Sequence, residues 1–100
     1  MKTTIKKTED KVFVTLEGSL DSYVSGEVGK EFKQLYDLEN TEIILDCKNL
    51  DYISSSGLRL FFILVRSVGP KGCQVIIKDA NKMLMKVFEM TGFVNFYKFI

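Results

Sequence analysis

Three consecutive serines, Ser54, Ser55 and Ser56, are the residues of this chain best suited to chemistry, and Gly57 follows them directly. They precede an apolar run with helical spacing, so the sequence predicts three hydroxyls at the start of a helix. A hydroxyl there can cap backbone N–H groups that lack a partner within the helix. It can also carry a phosphate, because a helix N-terminus favours negative charge by about 0.3–1 kcal/mol. From the residues alone, both interpretations stay open.

The positions within the serine run separate these roles. Ser54 is the predicted cap, with its hydroxyl accepting a hydrogen bond from the N–H of Ser56 or Gly57. The fold would tolerate a phosphate on Ser55, and Arg59, four residues later on the same helical face, could pair with it. Ser56 and Gly57 keep the first turn small, so that a partner can reach it.

Several chemistries are excluded or disfavoured by residue type. The chain has no histidine, which removes imidazole as a base, proton shuttle or metal ligand. The serines do not fit the G-x-S-x-G nucleophile elbow of hydrolases. Cys47 and Cys73 form no zinc-site pattern, and we expect them to be small buried residues in a reducing compartment. We therefore expect no enzymatic activity and no cofactor.

Composition indicates one small domain. The chain has 100 residues, of which 46% are apolar, enough for one core and too few for two. Its net charge of +1 shows no basic excess for direct nucleic-acid binding. The longest apolar run, Leu60 to Val65, is far too short for membrane insertion. The polar N-terminus lacks a signal-peptide pattern, so we expect a cytoplasmic protein.

Hydrophobic periodicity predicts the elements that must position the serines, in the order β-β-α-β-α-β-α-β. Strands are predicted at about 5–8, at 12–17 ending at Gly18, at 43–45, at 75–77 and within 93–100. Helices are predicted from about Val24 to a break at Asn40, from about Ser54 to Val68, and from about 82 to a stop at Gly92. Residues 19–22 and 48–51 are predicted loops, and the first two strands can pair antiparallel. Strands separated by helices imply parallel crossovers, so we expect an α/β fold with helices packed on a mixed sheet of about five strands.

Three stretches of the chain resemble a known family. "LDYISSSGLRL" resembles the signature of STAS domains, the anti-sigma-factor antagonists of bacterial partner-switching pathways. "VTLEGSLDS" (14–22) is similar to the family's second strand and following loop, and "MLMKVFEMTGFVNFYKF" (83–99) to its third helix and closing strand. The resemblance covers nearly the whole chain, so we expect residues 1–100 to form a single STAS-like domain.

The resemblance implies a role for each matching residue. Ser55 matches the serine that is phosphorylated in the family, and Ser54 matches the preceding position, which is aspartate in several members. Gly57 and Leu58 match the family's helix start. Asp21 matches a loop aspartate near the site, although a simple cap of the first helix explains it equally well. The residues expected to bind the partner or to neighbour the site of Ser55 are Asp21, Ser54, Ser56, Gly57, Leu58 and Arg59.

The resemblance also implies partners. The unphosphorylated domain would bind an anti-sigma factor that is also a serine kinase, phosphorylation would release it, and a PP2C-type phosphatase would reset the cycle. Two alternatives remain: a STAS module that binds its partner constitutively without phosphorylation, and a small-molecule or nucleotide-binding domain that uses the same helix N-terminus.

The aromatic tail, Phe93, Phe96, Tyr97 and Phe99, is expected to belong mainly to the core. The family's usual C-terminal helix is expected to be short or absent, because the chain stops soon after the predicted last strand. Aromatic side chains left uncovered there would favour a weak homodimer.

Overall fold

A five-stranded sheet and three α-helices form the fold. The computed structural model describes all residues, 1–100. In chain order the elements are β1 (Lys2–Lys7), β2 (Lys11–Leu20), α1 (Ser25–Lys33), β3 (Glu42–Ile53), α2 (Ser55–Val68), β4 (Gln74–Lys78), α3 (Lys82–Thr91) and β5 (Lys98–Phe99). Short 3₁₀ turns follow α2 (Gly69–Lys71) and α3 (Phe93–Phe96). This order confirms the predicted α/β fold.

The sheet is mixed, as predicted, and its strands lie in sequence order from β1 to β5. β1 pairs antiparallel with β2, and the other three pairings are parallel. Because β2, β3 and β4 run in one direction, their carboxyl ends meet at the same edge of the sheet. Each of the three helices begins after one of these strands, so all three helix N-termini lie along that edge.

The core lies between one face of the sheet and the helices. It takes alternate residues of β2, namely Val12, Val14 and Leu16, as the strand period predicts. A column of aromatic rings joins the three helices: Phe61 of α2 lies 6.0 Å from Phe32 of α1 and 6.1 Å from Phe88 of α3, between ring centroids. Helix α2 is therefore held on both sides, and its N-terminus has a fixed position at the sheet edge.

The predicted loop at 48–51 is wrong, because β3 continues through it to Ile53. Two irregularities interrupt the register of β3 with β2, and at each β3 contains one residue more than its partner. The buried residues Cys47, Leu50 and Ile53 are consequently spaced by three rather than two. This β-bulge geometry removes the alternation from which a strand is predicted.

The first part of the chain differs from the prediction in three boundaries. β1 occupies Lys2–Lys7 rather than 5–8. β2 passes through Gly18 to Leu20, and the glycine, with φ +108°, lies at a register irregularity instead of at the end of the strand. α1 ends at Lys33, well before Asn40, since the N–H groups of residues 35 and 36 donate to carbonyls three residues back and tighten the chain into turns.

The predicted final strand within 93–100 shortens to two residues. The preceding 3₁₀ turn places Phe93 and Phe96 against Phe62 of α2, at centroid distances of 4.6 and 5.6 Å. These rings pack on a helix instead of extending the strand. Tyr97 is buried and Phe99 half-buried, as expected of core residues, while 47% of Phe96 is exposed. The weak homodimer stays a prediction.

Candidate functional site

The serine run lies where β2 and β3 end together. Leu20, the last residue of β2, pairs with Ile53, the last residue of β3. The N–H of Ser54 donates to the carbonyl oxygen of Leu20 at 2.8 Å, which ties the start of α2 to the end of β2. In open α/β sheets, binding sites lie at this carboxyl edge. The loop from β2 to α1 therefore adjoins the first turn of α2.

Two of the three serine hydroxyls are occupied by hydrogen bonds. The Ser54 hydroxyl accepts from the N–H of Gly57 at 3.1 Å, which confirms the predicted cap. The Ser56 hydroxyl oxygen lies 3.0 Å from that of Ser54 and 3.2 Å from that of Ser25 in α1. A short chain of hydroxyls therefore connects the starts of α1 and α2, and both Ser54 and Ser56 are half-buried.

Ser55 differs from both neighbours. It is the first residue of α2, it is exposed, and its hydroxyl makes no hydrogen bond within the protein. The first turn contains no acidic residue, and Arg59, one turn later, is also exposed. The site thus presents one hydroxyl without a hydrogen bond at the positive end of the α2 dipole. The guanidinium group of Arg59 lies on the same face of the helix.

Gly57 and Leu58, expected at or next to the site, are both buried. A Cβ atom on Gly57 would lie 2.6 Å from Cγ of Leu20 and 3.0 Å from its carbonyl oxygen. Gly57 is small because α2 packs closely on β2, and not because a partner needs access to it. Leu58 is 6% exposed and belongs to the core, so its packing anchors the start of α2.

Asp21 follows Leu20 and serves the loop before α1. Its Oδ1 atom accepts from the N–H of Tyr23 at 3.0 Å and from the N–H of Val24 at 3.1 Å. Asp21 therefore holds the turn before α1 and is not the cap of the helix itself, whose cap residue is Val24. It also adjoins the site, because the carbonyl of the preceding Leu20 holds Ser54.

Comparison with known protein families decides the assignment. The family model of the STAS domain matches residues 2–100. The chain belongs to the STAS domain family. The resemblance of the three sequence stretches is thereby confirmed across the whole chain.

Relatives of this STAS domain carry related names. BtrV of Bordetella bronchiseptica, provisionally named an anti-sigma factor antagonist, is 26% identical over 97 residues, which cover 97% of this chain and 84% of BtrV. The anti-sigma F factor antagonist of Paenibacillus polymyxa is 28% identical over 82 residues, covering 81% of this chain and 70% of that protein.

Solved structures confirm the fold of the STAS domain. Unphosphorylated SpoIIAA, an anti-sigma factor antagonist, superimposes with a TM-score of 0.78 at 17% identity, covering 99% of this chain and 87% of that chain. The phosphorylated form of Bacillus SpoIIAA gives a TM-score of 0.77 at 19% identity, covering 99% of this chain and 91% of that chain. At these identities the likeness concerns the fold alone.

Sequence patterns missed two exposed tyrosines beside the serines of the STAS domain. Tyr23, in the loop held by Asp21, is 95% exposed, and Tyr52, two residues before Ser54, is 45% exposed. Tyr23 lies between the predicted loop at 19–22 and the predicted helix start at Val24, and polarity patterns say nothing about the exposure of its ring. Their position in the sequence could have drawn attention to them, since both tyrosines lie within three residues of a predicted site residue.

Of the two cysteines expected to be buried, Cys47 is buried and Cys73 is only half-buried. Burial, with the nearby Asp46 carboxylate second, raises the pKa of the Cys47 thiol to about 12, so the thiol stays protonated at neutral pH. No cluster of three or more histidine, cysteine or acidic side chains is arranged to hold a metal ion. No helix combines the length and apolar character needed to cross a membrane.

Proposed function

We propose that this STAS domain is an anti-sigma factor antagonist controlled by phosphorylation of Ser55. It binds an anti-sigma factor that is also a serine kinase while Ser55 is unmodified, and phosphate on Ser55 releases that partner. The observation that carries the proposal is the state of the hydroxyl: among the three serines, only Ser55 is both exposed and free of hydrogen bonds. The names of the relatives support the antagonist role.

The fold of the domain accommodates a phosphate at this position. Phosphorylation adds about 1.5–2 negative charges and three strong acceptor oxygens. At the first residue of α2 these oxygens meet the unpartnered N–H groups and the positive end of the helix dipole. Arg59, one turn later, can pair with the phosphate. Phosphorylation is therefore compatible with an unchanged fold.

Release of the partner follows from the same charge. An interface that accepts a neutral serine hydroxyl does not offer partners for a dianion, and burying the unpaired charge costs several kcal/mol. A penalty of about 3–4 kcal/mol lowers affinity by two to three powers of ten, since each 1.4 kcal/mol is tenfold. The switch thus needs no conformational change in the STAS domain.

The proposal assigns the chemistry to the partners. The kinase supplies phosphoryl transfer from ATP and a PP2C-type phosphatase removes the phosphate, so the domain itself acts as a non-enzymatic regulator in the cytoplasm. Structures of SpoIIAA exist for both the unphosphorylated and the phosphorylated form, which supports a phosphorylation cycle for a protein of this fold.

No structural observation favours the constitutive scaffold. None favours the small-molecule alternative either, because the surface pockets are lined by residues outside 54–59.

The test is to map the phosphate. The purified protein is incubated with ATP and the purified anti-sigma factor serine kinase of the same genome, and the modified residue is identified by mass spectrometry. We expect one phosphate on Ser55 and none on the Ser55→Ala protein. Ser56→Ala is the matched control and is expected to accept phosphate normally. Modification of another residue, or normal phosphorylation of Ser55→Ala, would refute the assignment.

A further inference from the structure

The most exposed large hydrophobic side chain of the molecule lies in the turn before α1, next to the first turn of α2. Tyr23 is 95% exposed, more than Met90 at 81% or any other large apolar residue. Because almost all of its surface is exposed, the ring of Tyr23 contributes little to the fold and is free to contact another molecule. Tyrosine is enriched among the residues that dominate binding energy at protein interfaces.

The backbone that carries this ring is held in place. The Oδ1 atom of Asp21 accepts from the N–H of Tyr23 and from that of Val24, and the Ser25 hydroxyl donates to the Ser22 carbonyl at 3.1 Å. A side chain on such a fixed turn loses little freedom on binding, because only its own rotation must be arrested. The exposed ring is therefore presented on a preorganised support.

The same turn is joined to the serine run. At one end, the Leu20 carbonyl accepts from the N–H of Ser54 at 2.8 Å. At the other, the hydroxyl oxygens of Ser25 and Ser56 lie 3.2 Å apart. The segment that bears Tyr23 is therefore joined to the residues on both sides of Ser55.

We infer that Tyr23 is the docking anchor for the kinase partner, inserting its ring into an apolar pocket on the kinase next to the site that receives Ser55. This inference rests on the proposed function. A tyrosine ring fills such a pocket while its hydroxyl finds a polar partner at the rim. The ring remains away from the reacting atoms, so it strengthens binding of the substrate protein without changing the transfer step.

The test separates binding from chemistry with three variants. Tyr23→Ala removes the ring, Tyr23→Phe keeps it, and Met90→Ala removes another highly exposed side chain, near the end of α3 at the opposite end of the helical layer. Affinity for the purified kinase is measured by calorimetry with ADP in place of ATP, so that no phosphate is transferred. Phosphorylation rates with ATP then give KM and kcat.

For Tyr23→Ala we expect affinity to fall about tenfold to a hundredfold, with KM raised similarly and kcat within twofold of wild type. Tyr23→Phe and Met90→Ala should bind within threefold of wild type, and all variants should unfold at the wild-type temperature. Wild-type affinity for Tyr23→Ala, with Ser55 phosphorylated normally, would overturn the anchor alone. Loss of affinity with phosphate on another residue would support the anchor and refute Ser55. If the wild-type protein does not bind the kinase, both the anchor and the proposed function are overturned.

Discussion

The starts of α1 and α2 use similar residues in different ways. Each follows a parallel strand at the same edge of the sheet, and each has a glycine in its first turn, Gly26 and Gly57 respectively. At α2 the Ser54 side chain caps the helix, whereas at α1 the residue in the cap position, Val24, makes no side-chain cap bond. A Cβ on Gly57 would collide with Leu20, but a Cβ on Gly26 would meet nothing within 4 Å.

This difference shows how the carboxyl edge of the sheet can present two different features to a partner. The start of α2 is fixed by its cap and by close packing on β2, so Ser55 is presented on a rigid first turn. The start of α1 is open, and the turn before it leaves Tyr23 in solvent. The closely packed start of α2 supplies the proposed switch, and the turn held by Asp21 before α1 supplies the proposed anchor.

The largest effect on stability is expected from filling the space at Gly57. Gly57→Ala places a methyl group 2.6 Å from Cγ and 3.0 Å from the carbonyl oxygen of Leu20, so either the helix or the strand must move. We expect a loss of about 1–3 kcal/mol in the free energy of unfolding, measured by urea denaturation.

Gly26→Ala is the matched control for this substitution. Alanine there has free space and a higher helix propensity, so stability should stay equal or rise by up to about 1 kcal/mol. Equal effects of the two substitutions would show that the first turn of α2 is no more closely packed than that of α1.

A smaller effect is expected from removal of the cap. Ser54→Ala deprives the N–H of Gly57 of its acceptor and breaks the contact with the Ser56 hydroxyl. The free energy of unfolding should fall by about 1 kcal/mol. Ser55→Ala removes an exposed hydroxyl with no hydrogen bond and should change it by less than about 0.5 kcal/mol. A larger loss for Ser55→Ala than for Ser54→Ala would reverse the roles assigned to the two serines.

The smallest effect concerns negative charge at Ser55 in the isolated protein. Ser55→Asp should stabilise the fold by about 0.3–1 kcal/mol at neutral pH, because the carboxylate faces the helix dipole. The dipole lowers the pKa of this carboxyl in the folded state, so the gain is present above the unfolded value of about 4 and is lost as the pH falls below it. Thermal unfolding at pH 7 and pH 2.5 checks the sign. Destabilisation at pH 7 would contradict a phosphate-compatible first turn.

Local signals in the sequence were sufficient for much of this site. Ser54 as the cap of α2 and Gly92 as the end of α3 were both predicted, because capping depends on residues within a single turn. Burial of Gly57 was not, because it arises from contact with Leu20, which is 37 positions earlier in the chain. A glycine near a helix start looks the same in sequence whether it is packed or open.

The misjudged strands have a related cause. The bulges of β3 depend on its register with β2, and two extra residues disturb the alternation on which a strand prediction relies. The exposure of Tyr23 was equally hidden, because polarity patterns describe segments and not the contacts of one ring. The comparison between the two helix starts is thus visible only once both segments are placed at the same sheet edge.

The central claim is that phosphate on Ser55 releases the partner. It is tested most directly by measuring, through calorimetry with ADP present, the affinity of the purified kinase for the unmodified protein and for protein phosphorylated on Ser55. We predict that phosphorylation weakens binding by about a hundredfold to a thousandfold, whereas Ser55→Ala binds like wild type. Equal affinity of the phosphorylated and unmodified proteins would contradict the switch and leave a module that binds its partner constitutively.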